Sequence, residues 1–259
     1  MISVILSFFN SQDTLAHSIQ SVLDQSYSDF ELILIDDFSS DNSYKIASNF
    51  AKSDSRVFLI KNNSNLGLAR SLNLAIRHSR FPYLARIDAD DICYHDRLQI
   101  QFNFLQNNPE IDILGSNAVL IDEAGVKVGQ TDIPLGHDEI LSAIRYRNPM
   151  LHPTVIMKRD VFECLNGYDE KLRKAQDLDL WQRAVMSGYV FGNLSSCLIM
   201  YRQVLQKPAA TILKGFKISF FYALKNRSLI GLVLSFVDLV KYFLIKVGLY
   251  EPRVRRKNK

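Results

Sequence analysis

The chain is poor in the residues that staple, chelate or cradle. Only three of its 259 residues are cysteine (Cys93, Cys164 and Cys197), an odd number, widely spaced and without a Cys-x-x-Cys pair. That argues against a disulfide scaffold or zinc knuckle and for a reducing compartment. Eleven glycines and seven prolines are too few for a collagen-like chain. Neither G-x-G-x-x-G nor G-x-x-x-x-G-K-[ST] occurs, so a dinucleotide fingerprint and a P-loop both lack their phosphate cradles. Any diphosphate would then be held mainly through metal. Met1-Ile2-Ser3-Val4 has no basic n-region or small-residue cleavage site, so no secretory signal is expected. The longest apolar run of the C-terminal part, Leu229 to Val237, is broken by Asp238. Spanning a bilayer takes roughly 20 mostly apolar residues, so no transmembrane helix is expected.

What is present is a foldable and unevenly charged chain. Hydrophobic residues make up 47% and charged residues 22%, which rules out intrinsic disorder and allows one large core or two small ones. The net charge of +4 is not spread evenly. Residues 1–206 carry 19 Lys+Arg against 25 Asp+Glu, whereas residues 207–259 carry 12 against 2. An acidic main body argues against a nucleic-acid binder, which spreads basic residues over a folded face.

The first half alternates apolar runs with helical patterns. Ser3 to Phe8, Phe30 to Ile35, Arg56 to Ile60 and Tyr83 to Ile87 read as buried strands. Between them lie helical stretches through Leu15, Ile19 and Val22, through Ile46 and Phe50, and over Leu66 to Ile76. Ser11 and Asp41 are the expected N-caps of the first two. This order implies βαβ units, and hence an α/β fold with a mostly parallel central sheet flanked by helices. The second half is less regular. Ile111 to Ile121 and Thr154 to Met157 are strand-like, Asp138 to Ile144 and Asp177 to Met186 are helical, and Asn166-Gly167 marks a turn.

In parallel sheets ligands bind beyond the carboxyl ends of the strands, and two acidic clusters fall there: Asp36-Asp37 and Asp88-Ala89-Asp90-Asp91. Carboxylates this close raise one another's pKa unless a cation sits between them. All-oxygen ligands suit Mg²⁺ or Mn²⁺. The plainer reading of Asp90 and Asp91 is an acidic turn that caps a helix beginning near His95. An Asp at position 36 or 37 can accept hydrogen bonds from a ribose or a base, or simply belong to a turn.

Several motifs in order resemble family 2 glycosyltransferases of GT-A fold, over roughly residues 1–205. They are Ser3-Val4-Ile5-Leu6-Ser7-Phe8-Phe9-Asn10, Ser21 to Tyr27, Phe30 to Asp37, Asn65-Leu66-Gly67 and Asp88-Ala89-Asp90-Asp91. His152-Pro153-Thr154, Gly167-Tyr168-Asp169 and Gln176-Asp177-Leu178-Asp179-Leu180-Trp181 complete the set. The resemblance implies a catalytic domain over 1–206, divided near residue 105 into a nucleotide-sugar half and an acceptor half. It implies that Ser7 and Asp37 contact the nucleobase, usually uracil. It gives Asp88 and Asp90 to the donor, with Asp90 and Asp91 as ligands of Mn²⁺ or Mg²⁺. His152 would lie near the diphosphate or the acceptor, Arg202 near the diphosphate, and Asp177 would be the general base. His152 beside Pro153 reads equally well as a packed loop residue.

The implied reaction is inverting transfer of a hexose from a UDP-sugar to a saccharide acceptor. The acceptor would be polyprenyl-diphosphate-linked, as in the assembly of O-antigen, capsule or other bacterial surface polysaccharide. One position departs from the family: the residue before the base is commonly Glu and is Gln176 here. That departure favours a second reading, a catalytically silent nucleotide-sugar-binding protein that docks on membranes or partner enzymes. A Gln-x-x-Arg-Trp motif, the mark of processive synthases, is absent. Residues 207–259 form an expected helical extension, with Lys214, Lys217, Lys225 and Arg227 among Phe216, Phe220, Phe221 and Tyr222. Its terminal basic run is expected to hold the protein on the cytoplasmic face of the cell membrane.

Overall fold

The computed structural model describes residues 1–145 and 147–203, together with Phe220, Leu224, Phe236, Leu239, Val240 and Phe243. Apart from those last six residues, each helical, the expected helical extension over 207–259 lies outside the described residues, as does its membrane contact.

The first half follows the alternating pattern. Strands β1 (Ile2–Phe8), β2 (Phe30–Asp36), β3 (Val57–Lys61) and β4 (Tyr83–Arg86) are separated by α1 (Leu15–Leu23), α2 (Ser43–Ser53) and α3 (Leu68–His78). β1 and β2 are buried almost throughout because helices cover both faces of the sheet. Successive side chains point to opposite faces. Ile5, Ile33 and Ile35 therefore pack with Ala69, Leu72 and Ile76 of α3, while Val4, Leu6, Leu32 and Leu34 pack with Leu15, Ile19 and Val22 of α1. β1 lies between β2 and β4, parallel to both, and β3 continues beyond β2. The order thus reverses at β1, which opens a crevice at the carboxyl ends of β1 and β4.

The second half extends the same sheet. It contributes β5 (Ile92–Cys93), α4 (Arg97–Asn107), β6 (Ile113–Ile121), β7 (Lys127–Gln130) and α5 (His137–Ala143). A 3-10 turn (His152–Thr154), β8 (Ile156–Lys158), α6 (Arg159–Cys164), α7 (Gln176–Met186) and β9 (Phe191–Arg202) follow. Beyond β4 the strand order is β8-β6-β9-β5, with β7 on β6. β8 is antiparallel to both β4 and β6, and the long β6–β9 pairing is parallel. The sheet is therefore parallel through its first four strands and mixed thereafter.

Strand β9 has no counterpart among the sequence expectations. Asn193, Ser195 and Ser196 interrupt its apolar pattern, and its register against β6 shifts on either side of Asn117. Such bulges hide the period of two. Both expected caps also move. Helix α1 starts at Leu15 with Thr14 in the N-cap position, and Ser11 contributes only its carbonyl, which accepts from the N–H groups of Thr14 and Leu15. The Thr14 hydroxyl instead donates to the carbonyl of Ala89 at 2.9 Å, which ties α1 to the acidic loop. Helix α2 starts at Ser43 with Asn42 in the N-cap position. The carboxylate of Asp41 accepts from Ser43 N–H at 2.9 Å and from Gln12 N–H at 3.1 Å. It thus joins the loops after β1 and β2.

Candidate active site

The acidic loop leaves β4 at Arg86. Asp88, Asp90 and Asp91 each bring a carboxylate oxygen within 4.8 Å of the others. Their surroundings differ. Both oxygens of Asp88 accept from the guanidinium of Arg86, Nη1 to Oδ2 at 2.7 Å and Nη2 to Oδ1. Asp90 is exposed. Asp91 is fully buried: Oδ1 accepts the backbone N–H of Arg202 at 2.8 Å, and Oδ2 has no hydrogen-bond partner among the described residues. Burial, then the neighbouring Asp88 and Asp90, push the Asp91 carboxyl up to about 9. Burial and Asp88 also raise Asp90. A buried oxygen with no partner, beside two more carboxylates, is a donor set that a hard divalent cation fits.

At the ends of β1 and β2 stand Ser7 and Asp37. Ser7 is half-buried, one residue from the end of β1. Asp37 is buried, and its carboxylate is already engaged. Oδ1 accepts from Asn62 Nδ2 and from Leu66 N–H, and Oδ2 accepts from Gly67 N–H, each at 2.8 Å. The Asn65-Leu66-Gly67 segment is thus hung on Asp37, and the capacity left for a base lies mainly on Oδ2. Asp36, also fully buried, accepts Ser39 N–H at Oδ1, while its Oδ2 has no partner among the described residues. Asn10 and Phe38, at the loops after these two strands, have φ of 48° and 68°. Such left-handed non-glycine residues persist where the surrounding structure holds them.

The start of α7 supplies a further carboxylate. Ala175, with φ of 57°, turns the chain so that Gln176 and Asp177 open the helix. Half-buried Asp177 accepts from Asn148 Nδ2 at 2.6 Å. Burial raises its carboxyl, against the pull of the Leu178 N–H, the Arg86 charge and the Asn148 amide. Gln176 is buried, with Oε1 unpartnered among the described residues. A glutamate there would add a charge to the same enclosed ground. Asp179 is an ordinary helix carboxylate, paired with Arg183 at 2.8 Å.

His152 and Arg202 are both held by other parts of the chain. His152 is buried in the 3-10 turn, with Nε2 at 2.7 Å from the Tyr168 hydroxyl and an edge-to-face contact with Trp181. Burial, then Arg86, hold its pKa well below the usual 6.5, so it is a neutral, packed hydrogen-bonding group. Arg202, expected near the diphosphate, lies against the acidic loop. Its Nε donates to the Asp90 carbonyl at 3.1 Å, and its Nη1 donates to the carbonyls of Asp122 and Glu123 at 2.8 Å. From the end of β9, Arg202 thus clasps the acidic loop to the turn after β6.

Arg86, Asn148 and Tyr168 complete the site. Arg86 carried a readable signal, a lone charge inside the apolar strand pattern Tyr83-Leu84-Ala85-Arg86-Ile87. Asn148 carried none, because a loop residue reaches Asp177 only through the fold. A cavity of about 470 Å³ lies between α3, α6 and residues 166–170, with Tyr168 in its wall.

The α/β sheet carries a divalent-cation donor set beyond the carboxyl end of β4, and the Asp177 carboxylate is within electrostatic reach of Arg86 beside it. The chain belongs to Glycosyl transferase family 2, which matches residues 3–165. The O-antigen biosynthesis glycosyltransferase WbnJ of Escherichia coli is 32% identical over 208 residues, 78% of this chain and 79% of WbnJ. The structure of S. aureus TarS 1–349 in complex with UDP-GlcNAc superposes with a TM-score of 0.67 at 15% identity, over 94% of this chain and 72% of that one. The mannosyltransferase PcManGT from Pyrobaculum calidifontis, in complex with GDP-Man and Mn²⁺, gives 0.63 at 16%, over 97% and 81%. The fold is GT-A, and the protein is a glycosyltransferase.

Proposed function

We propose that this glycosyltransferase moves one hexose from a UDP-sugar to a saccharide acceptor with inversion at the anomeric carbon. The observation that carries this reading is the arrangement of carboxylates. One set is clustered for a cation at the end of β4, and Asp177 stands at the start of α7 within electrostatic reach of Arg86 beside that cluster. Asp90 and the free oxygen of Asp91 would hold Mn²⁺ or Mg²⁺, with Asp88 gripped by Arg86. A divalent ion there neutralises charge on the departing nucleoside diphosphate.

The chain's own residues supply the rest. Ser7 and the remaining acceptor capacity of Asp37 Oδ2 face the base at the ends of β1 and β2. Asp177 takes the proton of the acceptor hydroxyl as that oxygen bonds to the anomeric carbon. The bond from that carbon to the diphosphate oxygen breaks in the same step, and its electron pair leaves with the nucleoside diphosphate. A single displacement of this kind inverts the centre. Raising the Asp177 carboxyl by burial makes it a stronger base than an exposed aspartate.

The relative WbnJ, by its name an O-antigen enzyme, supports a polyprenyl-diphosphate-linked acceptor in surface-polysaccharide assembly. The basic, aromatic composition of residues 207–259 supports a place on the cytoplasmic membrane face. Among the described residues no helix is long and apolar enough to cross a membrane. The test is a screen of UDP- and GDP-sugars with Mn²⁺ against lipid-linked saccharides, with the product's anomeric configuration read by NMR. A β-linked product from an α-linked UDP-hexose is expected. A retained configuration, or transfer from GDP-sugars alone, would overturn the corresponding part.

A further inference from the structure

Arg86 is a buried cation in a strand that is otherwise apolar. It is 6% exposed, beside Leu84 and Ala85, which are 3% and 1% exposed. Replacing a buried ion pair with apolar residues is often neutral or stabilising, so stability alone does not explain an arginine here.

Its surroundings point to another role. The guanidinium grips both oxygens of Asp88, and its Nε has no partner among the described residues. The main chain of Arg86 is fixed on two sides. Its N–H donates to the Val155 carbonyl at 3.0 Å, and its carbonyl accepts from Nη2 of Arg97 at 2.8 Å. Fully buried Arg97 is itself set by Gln101 Oε1 at 3.0 Å, and Gln101 donates to the Thr154 carbonyl at 2.8 Å. Arg86 therefore stands between the acidic loop and the turn that carries His152. His152 in that turn reaches the Tyr168 hydroxyl at 2.7 Å and packs edge-to-face on Trp181 of α7, so Arg86 is linked through it to the helix that carries Asp177, on which its charge also acts.

We propose that Arg86 is the positioning residue that joins the two halves of this site: it occupies Asp88, leaves Asp90 and the free oxygen of Asp91 for the cation, and fixes that loop relative to Asp177. The inference rests on the glycosyltransfer reading given above. The groups that face Asp177 are Arg86 from β4, Asn148 from the loop after α5, Tyr168 from the loop before α7, and the Leu178 N–H of its own helix.

The test compares Arg86→Gln, Arg86→Lys and the double variant Arg86→Gln/Asp88→Asn with wild type, each first shown to be folded by thermal melting. Mn²⁺ affinity is read by calorimetry, and kcat and KM are read across pH. Arg86→Gln is expected to lower kcat about 100-fold, as misplacement of a reacting group does. It should also raise the acid limb of kcat by about one pH unit, because the cation opposing protonation of Asp177 is gone. Its Mn²⁺ affinity should fall about 10-fold. Arg86→Lys restores the position of the limb but leaves kcat about 10-fold low, since an ammonium cannot grip both oxygens of Asp88. Folded variants with wild-type kcat, acid limb and Mn²⁺ affinity would overturn the proposal. If Arg86→Gln does not fold, the lysine and double variants decide. A wild-type protein that transfers no sugar would overturn the reading of function instead, and the Mn²⁺ affinities would still decide the role of Arg86.

Discussion

The backbone N–H of Arg202 donates to Oδ1 of Asp91 at 2.8 Å across 111 residues of sequence, so the end of β9 closes the acidic loop after β4. The contact orients Asp91 with one oxygen satisfied and the other, Oδ2, buried and without a partner among the described residues. That asymmetry is what a single cation would use.

The first prediction concerns that oxygen. Burial and two neighbouring carboxylates raise Asp91 to about 9, so the folded chain holds this proton more tightly than the unfolded chain. Without metal, stability is greatest below the unfolded value of about 3.9 and is lost as pH rises towards the folded one. Mn²⁺ must displace the proton, so its gain in Tm should grow between pH 6 and pH 8. Asp91→Asn keeps an acceptor for Arg202 and should weaken Mn²⁺ binding about 10–100-fold in calorimetry. It should leave the metal-free melting point no lower. Undiminished Mn²⁺ binding would move the site elsewhere.

Asp177→Asn preserves the size of the side chain and removes the base. We expect kcat to fall about 10²–10⁴-fold, with the nucleotide affinity unchanged in the presence of Mn²⁺. In wild type the acid limb of kcat should lie above the ordinary aspartate value of about 3.9, because burial raises this carboxyl. A variant with wild-type turnover would remove Asp177 from the reaction.

Tyr168→Phe takes away the 2.7 Å partner of His152 Nε2. Leaving that buried nitrogen unpaired should cost about 1–3 kcal/mol in urea unfolding at pH 7.5. The folded pKa of His152 is depressed. Its contribution is therefore present above the unfolded value of about 6.5 and is lost as pH falls below it. Wild type should weaken across that window, and turnover should show no titration assignable to this histidine near neutrality.

Gly67 precedes α3 with φ of 88°, and a Cβ there would stand 2.9 Å from Nη1 of Arg173. Gly67→Ala should cost about 1 kcal/mol from the left-handed backbone alone. It should also disturb the N–H that Asp37 Oδ2 accepts. Lower nucleotide affinity together with a lower melting point is expected. An unchanged affinity would separate Asp37 from donor binding.

Much of the first half was legible because its signals are local. Val4, Leu6, Leu32 and Leu34 form apolar runs whose length and spacing mark strands covered on both faces. The acids follow those strands within a few residues. The second half was less legible because its elements are held by distant partners. β9 pairs with β6 across a double register shift, and Arg202 reaches back to Asp91 across 111 residues. Asp37 read as a nucleobase contact, yet it also carries Asn62, Leu66 and Gly67. No spacing rule encodes hydrogen bonds that span a loop.

The sequence by itself determined the chemistry on offer: carboxylates at strand ends, no phosphate cradle, few cysteines, and a basic C-terminal segment beside an acidic body. Side-chain type and strand period are properties of the local chain, so they survive without coordinates. Only the tertiary structure decided how those groups divide their work. Asp88 is gripped by Arg86, Asp91 keeps one oxygen without a partner among the described residues, His152 is packed against Tyr168, and Arg202 donates to carbonyls of the acidic loop and of the turn after β6. Desolvation and hydrogen-bond competition set each of these roles, and both depend on which distant segments the fold brings together.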